Sequence, residues 1–419
     1  MDPYIFIIIG SIAIVVSHLF NLLAKATNIP SVFMLIVLGL VMHQVVAHYG
    51  SYTTGPMVSQ VLNVLGISGL IMIVLEAALD LKLTPDKMGL VVRSFFVALF
   101  TLLFTGVAIT FLVQYYTGAE LLKCMVYAVP LSIVSSAIVL PSVASLQKDL
   151  KEFLVYEATF SDIIGIMLFY FLIEDHAGST NVDMAIGFFS NVLLTIIVSV
   201  VAGMLLLWVF QRIRTKVKFF LLLATLMLLY AVGKKMHLSS LLIILIFGLM
   251  VSNQSLIFRG RLARVMGTWS MKNIESELHL VTAETAFVVR TFFFIVFGLT
   301  IDVMRLMDMD VILLGAAVTA ILYVVRLVVA GMFRVKGLRT ITMVAPRGLI
   351  TILLAYNIPE ALHIPGRDGS LLLVVILTSS LIMMLGLMVN GKNHDLSAVE
   401  PDPMTFVDPP AQEDGHASI

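Results

Sequence analysis

Residues Glu157-Ala158-Thr159-Phe160-Ser161-Asp162-Ile163-Ile164-Gly165 place two carboxylates inside a run, Phe153 to Ile173, that otherwise reads as a membrane-spanning helix. An ionised carboxylate at mid-bilayer costs about 2.5–3.5 kcal/mol or more, so an acid here points to use rather than accident. At about 100° per residue, positions five apart point roughly 140° away from each other. Glu157 and Asp162 therefore divide the work: one acid faces an ion cavity and the other a fixed cationic partner. Arg290, Arg326 and Arg347, each within an apolar run, are the cations available for that partnership. The pattern implies an ion-coupled transporter.

The whole chain agrees with a membrane setting. Hydrophobic residues make up 60% and charged residues 12%, with a mean hydropathy of +1.05, whereas soluble domains carry roughly 25% charged residues. Apolar runs of about 20 residues recur from end to end, each long enough to cross a ~30 Å hydrocarbon core as a helix. The short alternating strands of a lipid barrel are not visible. A formal net charge of zero gives no global field to attract nucleic acid or an acidic partner. The single Cys124 excludes an internal disulfide, and no cysteine/histidine spacing suggests a metal cluster. No glycine-rich phosphate fingerprint follows a strand, and no nucleophile, base and orienting group converge, so neither a cofactor nor an enzymatic reaction is expected. The first helix follows Met1-Asp2-Pro3 with no basic n-region and no small-residue cleavage site, so it is expected to be retained.

Apolar length and polar breaks predict an all-α polytopic protein of about 13 transmembrane helices, near 4–24, 30–48, 59–81, 89–115, 119–146, 152–174, 184–210, 217–235, 238–257, 277–301, 310–334, 339–358 and 369–390. Basic residues of the connections divide roughly 18 against 5 when the N-terminus is placed outside, and the remaining three of the 26 are the embedded arginines. That bias predicts an outside N-terminus and a cytoplasmic C-terminus. Embedded acids are Glu76, Glu157, Asp162 and Glu284, so pairing between opposite charges is the expected solution. Glu284 lies six residues from Arg290, about 240° around the helix, and reads as a second titrating group or a partner for Arg347.

Two segments carry helix breakers. Pro130 to Pro141 brackets the polar Ser132, Ser135 and Ser136, and Ala345-Pro346-Arg347-Gly348 interrupts the twelfth segment. Seven segments separate the two breaks, and an odd separation between equivalents gives opposite orientation in the membrane. The reading is an inverted repeat with two broken helices crossing at the midplane. Residues 1–390 form the transmembrane domain, comprising a core and a panel. Residues 391–419, rich in acids and prolines, cannot bury enough apolar surface to fold and read as a disordered cytoplasmic tail.

Taken together, Glu157, Ser161 and Asp162 in the sixth segment, Tyr323-Val324-Val325-Arg326-Leu327 before a basic loop, Arg347-Gly348, the aromatic Thr291-Phe292-Phe293-Phe294 leading to Phe297-Gly298-Leu299, and Glu76 in the third segment resemble the monovalent cation/proton antiporter superfamily, in its electroneutral sodium/proton exchanger branch. The resemblance spans about residues 1–390. It implies that Asp162 binds a monovalent cation and a proton in turn, that Ser135 and Ser136 or their carbonyls are neutral ligands with Ser161 beside them, and that Glu76 contributes through water. It further implies that Glu157 and Arg326 form a structural ion pair, that Arg290, Arg347 and Glu284 are accessory, and that the panel makes a homodimer in a bacterial inner membrane. Three departures from the family pattern stand out: Ser161 stands for Asn, Ala158 for Ser, and the pair Ser135-Ser136 for Thr-Asp. Those departures remove oxygen ligands and one carboxylate, which leaves sodium and potassium both open.

Exchange needs only competition for one site. A carboxylate out of water holds either a proton or an alkali ion as its positive partner, and alternating access to that site gives antiport without net charge movement. The alternatives are a potassium-efflux channel-like protein, which the Ser-Ser pair in the fifth segment also resembles, and a sensor on the same fold that no longer transports.

Overall fold

The computed structural model describes residues 3–27, 31–49, 67–69, 71–79, 81, 83, 85–143, 146–173, 190, 193–206, 219–235, 240–253, 268–299, 308–364 and 370–390. Lipid offers no hydrogen bonds, so an apolar chain crossing it satisfies its backbone internally, and the regular elements among the described residues are all helical. They are α1 (Pro3–Thr27), α2 (Ser31–Tyr49), α3 (Ile67–Leu79), α4 (Met88–Thr117), α5 (Leu121–Ser132), α6 (Ser136–Ser142), α7 (Lys148–Ile173) and α8 (Leu193–Leu206), followed by α9 (Phe219–Lys235), α10 (Ser240–Ser252) and α11 (Thr268–Leu299). The last four are α12 (Met309–Met332), α13 (Leu338–Met343), α14 (Leu349–Tyr356) and α15 (Ser370–Asn390).

Seven helical segments among the described residues are long and apolar enough to cross a membrane, so the chain is an all-α polytopic membrane protein. Helix also occupies part of each remaining expected span, while much of the expected spans at 59–81 and 184–210 lies outside the described residues. The acidic tail 391–419 and the basic connections at 207–218 and 254–267 lie outside them as well. Helix α4 has its polar side inward: Ser94, Thr101, Thr105 and Thr110 are buried while Phe104, Val107 and Phe111 are exposed. Outward apolar side chains suit a helix whose solvent is hydrocarbon.

The helices pack as two groups. Helices α1, α2 and α11 contact one another, α10 joins them through α11 and carries α9 with it, and α4 to α7 with α12 to α15 make the second group. Helix α10 touches α7 and so bridges the two. Within the first group α2 and α11 approach backbone to backbone. A Cβ at Gly39 would lie 2.8 Å from Gly298 Cα, and one at Gly298 would lie 2.9 Å from Gly39 Cα, closer than atoms in contact allow. Gly298→Ala is expected to force these helices apart at a cost of about 1–3 kcal/mol, read as a lowered melting temperature in detergent. An unchanged melting temperature would show that the seam yields freely.

The chain leaves the helical path in both proline-bearing stretches, and in the first it does so between the prolines rather than at either. Helix α5 runs through Pro130, the chain is extended at Ile133 (φ −75°, ψ 129°) and Ser135 (φ −80°, ψ 114°), and α6 starts at Ser136 and contains Pro141. The unwound N–H groups find other acceptors: Val134 donates to Ser161 Oγ at 3.0 Å, and Ser135 donates to the Pro346 carbonyl at 2.9 Å. That last bond joins the first break to the second, where α13 ends at Met343 and α14 begins at Leu349. Tertiary acceptors therefore position the gap, and the prolines only weaken the helix on either side of it.

Candidate functional site

Helix α7 carries both central acids, and each is buried, Glu157 at 1% exposure and Asp162 at 4%. Their side chains serve separate surroundings, as the angular spacing requires. Arg326 of α12 holds Glu157 with two parallel bonds, Nη1 to Oε1 at 2.7 Å and Nη2 to Oε2 at 2.8 Å. The same guanidinium donates from Nε to the Ile341 carbonyl at 2.7 Å and from Nη2 to the Val344 carbonyl at 3.1 Å. Those carbonyls lie at the C-terminal end of α13, which has no intrahelical donors left for them. One arginine thus neutralises a buried acid and closes a broken helix.

Arg347 does the corresponding work for α5 with no carboxylate involved. Its Nε donates to the Leu131 carbonyl at 2.9 Å, Nη2 to that of Ser132 at 3.3 Å and Nη1 to that of Ala345 at 2.6 Å. A cation at a helix C-terminus also faces the negative end of the helix dipole. Its own backbone N–H donates to Ser379 Oγ at 3.1 Å, a partner on α15 that the sequence did not single out. Glu284, considered above as a partner for Arg347, is instead exposed on α11, and carbonyls take its place because α5 and α13 end beside the guanidinium.

Asp162 faces the first break. Its Oδ2 accepts the Ser136 N–H at 3.0 Å, while its Oδ1 has no hydrogen-bond partner among the described residues. Ser135 Oγ is also buried and without a partner there. Ser161 points its hydroxyl at the Val134 N–H, so it secures the unwound strand and keeps one lone pair for anything else. Gly348 makes room for this crossing, because a Cβ there would lie 2.8 Å from Ser135 Oγ and 2.6 Å from Ile138 Cδ1.

A cavity of about 20 Å³ opens beside Asp162 and Ser136, walled by Val74 and Ala77 of α3, Leu242 of α10 and Ile350 of α14. That is room for one water-sized guest, next to a carboxylate oxygen that still needs a positive partner. Thr159 also lines it, a residue that carried no motif in the sequence. Glu76, next to Ala77 on α3, lies 3.4 Å from Arg290 Nη2. Sequence reading had both residues but not their pairing, since 214 positions separate them and no local pattern links them.

A family profile described as sodium/hydrogen exchanger, transmembrane, matches residues 11–390. No curated protein matches the chain in sequence. Among solved structures, the chain resembles that of the sodium proton antiporter MjNhaP1 from Methanocaldococcus jannaschii at pH 8, with a TM-score of 0.69 at 16% identity over 94% of this chain and 97% of that one. An electron-microscopy map of the same antiporter gives a TM-score of 0.67 at 16% identity, covering 94% and 96% of the two chains. At that identity the likeness establishes a shared fold.

Proposed function

We infer that this chain, which belongs to the transmembrane sodium/hydrogen exchanger family, carries out its exchange at one buried carboxylate, Asp162. The protein is a secondary active antiporter of a monovalent cation against protons, not an enzyme. The observation that carries the site assignment is a cavity sized for one small guest and lined by Asp162, Ser136 and Thr159, together with an Asp162 Oδ1 and a neighbouring Ser135 Oγ that have no hydrogen-bond partner among the described residues. A cation entering the cavity meets the Asp162 carboxylate beside Ser136 and Thr159, and the Ser135 and Ser161 oxygens, outside the cavity wall, become ligands only as the neighbouring break shifts. A proton on Asp162 removes the charge that attracts the cation, so the two compete. Glu157 and Arg326 neutralise each other and stay out of the exchange, while Arg347 holds α5 in place.

One titrating carboxylate per cycle gives one proton per sodium or potassium ion and no net charge movement. The two breaks, joined through Ser135 and Pro346, support a fold of about 13 spans in inverted repeats whose broken helices cross at the site, with a core that moves against a panel and exposes Asp162 to each side in turn. The panel forms the homodimer contact, the N-terminus lies outside, the acidic tail lies in the cytoplasm, and a bacterial inner membrane is the expected setting. Neither the channel nor the sensor alternative has an observation in its favour.

Proteoliposomes test this directly. Sodium or potassium added to vesicles holding a proton gradient is expected to dissipate it, at a rate that an imposed voltage leaves unchanged at fixed ion gradients. Acceleration by voltage would break the one-for-one stoichiometry. Flux that ignores the proton gradient would point to the channel, and no response to sodium, potassium or lithium would point to the sensor.

A further inference from the structure

We propose that Arg290 is a positioning residue that latches the half-helix at the ion site to the opposite helix group, through a bond that breaks when the two groups move. The proposal rests on the alternating-access reading above. Arg290 belongs to α11 in the first group, and its Nη1 donates at 2.9 Å to the carbonyl of Ala137, the second residue of α6 in the other group. Ala137 follows Ser136, whose N–H holds Asp162 Oδ2. The arginine therefore grips the exchange site one residue away from the carboxylate's anchor.

Sequence explains why that carbonyl is available. In a helix the Ala137 carbonyl accepts from the N–H four residues on, and that residue is Pro141, which has none. The proline leaves a vacancy in α6 that only an outside donor fills, and Arg290 fills it. The latch is also incomplete as it stands. Arg290 Nε is buried without an acceptor among the described residues, and the 3.4 Å approach of Nη2 to Glu76 Oε2 is longer than the roughly 2.7–2.9 Å of a full charge-assisted bond. The guanidinium is thus divided between a carbonyl of the second group and a carboxylate on α3, a helix whose Gly69 backs onto Val289 of α11, so that a Cβ there would lie 2.7 Å from Val289 Cγ1. Sliding the second group away breaks the Ala137 bond, whereas the Glu76 approach lies on the arginine's own side and is common to both states, so the Ala137 bond alone distinguishes them.

Losing one charge-assisted bond that exists in only one of two states shifts their ratio by about ten-fold. Arg290→Gln is therefore expected to depopulate the conformation described here. The apparent KM for sodium or potassium should rise on the membrane face to which Asp162 opens in this state and fall on the other, changing their ratio by about ten-fold. Pro141→Ala gives α6 its own donor for Ala137 and should shift the ratio in the same direction without touching the arginine. Arg290→Lys, which keeps a charged donor, should lie between native and Arg290→Gln, and the double variant Arg290→Gln/Pro141→Ala should move no further than Arg290→Gln alone.

The measurement is cation-driven proton movement in proteoliposomes of each orientation. A purely structural arginine would lower yield or melting temperature, or move both KM values together, and either result overturns the latch. Independent, additive effects of the two substitutions overturn it as well. Should Arg290→Gln fail to accumulate, Pro141→Ala decides alone, and an unchanged ratio in that variant rejects the proposal. Absence of exchange in the native protein would instead reject the antiport reading beneath it.

Discussion

Asp162→Asn brings cation-dependent dissipation of a proton gradient down to the level of protein-free liposomes, for sodium, potassium and lithium alike. Asparagine has nearly the same shape, and its side-chain oxygen still accepts the Ser136 N–H that now binds Oδ2 at 3.0 Å. What it lacks is a charge to meet a cation and a proton to release in exchange for one. The cavity beside it then holds at most a neutral guest, because an alkali ion stripped of water has no compensating charge there. Folding should not suffer. Replacing a buried acid, one of whose oxygens has no partner among the described residues, by a neutral amide removes a desolvation cost, so the melting temperature is expected to stay level or rise. Loss of transport together with a steep drop in melting temperature would make the variant uninformative about exchange and Asp162 a structural acid. Transport surviving well above background would move the exchange to another group.

Breaking the Glu157 and Arg326 pair should destabilise the protein by about 3–5 kcal/mol, the largest stability effect expected of any single side chain here. The two single variants are not equivalent. Glu157→Ala leaves Arg326 buried at 1% exposure but still bonded to the Ile341 and Val344 carbonyls. Arg326→Ala leaves a buried carboxylate without its bidentate donor and also strips those two carbonyls, so it is expected to be the worse of the two. Exchanging the charges, with Arg at 157 and Glu at 326, restores the pair yet cannot cap α13, because a carboxylate has no hydrogen to donate. Partial recovery is the expected result, and thermal unfolding in detergent measures it. Equal melting temperatures for both single variants would mean that the carbonyl contacts contribute nothing.

Helical periodicity made some of this legible before any coordinates. A spacing of five residues set Glu157 and Asp162 on divergent faces, and composition set a helical membrane protein, because lipid leaves a backbone few other ways to satisfy itself. Prolines and glycines marked both segments that break. The basic residues of the connections suggested an orientation, and three arginines without a loop to sit in had to find buried acceptors.

Which acceptors they found was a matter of tertiary structure. Arg326 met Glu157, whereas Arg347 met only carbonyls and Arg290 met Glu76 and Ala137. Periodicity supplies an angle about each helix axis, but not the depth at which two helices from distant parts of the chain come into contact. The exact place of the first gap had the same origin: Ser135 and Val134 unwind where Pro346 and Ser161 offer acceptors, not where a proline stands. Sequence by itself therefore determined that charges are buried and that helices break, since both follow from local chemistry. Only packing between remote segments decided which charge meets which partner, because a buried polar group takes whatever acceptor the fold brings within about 3 Å.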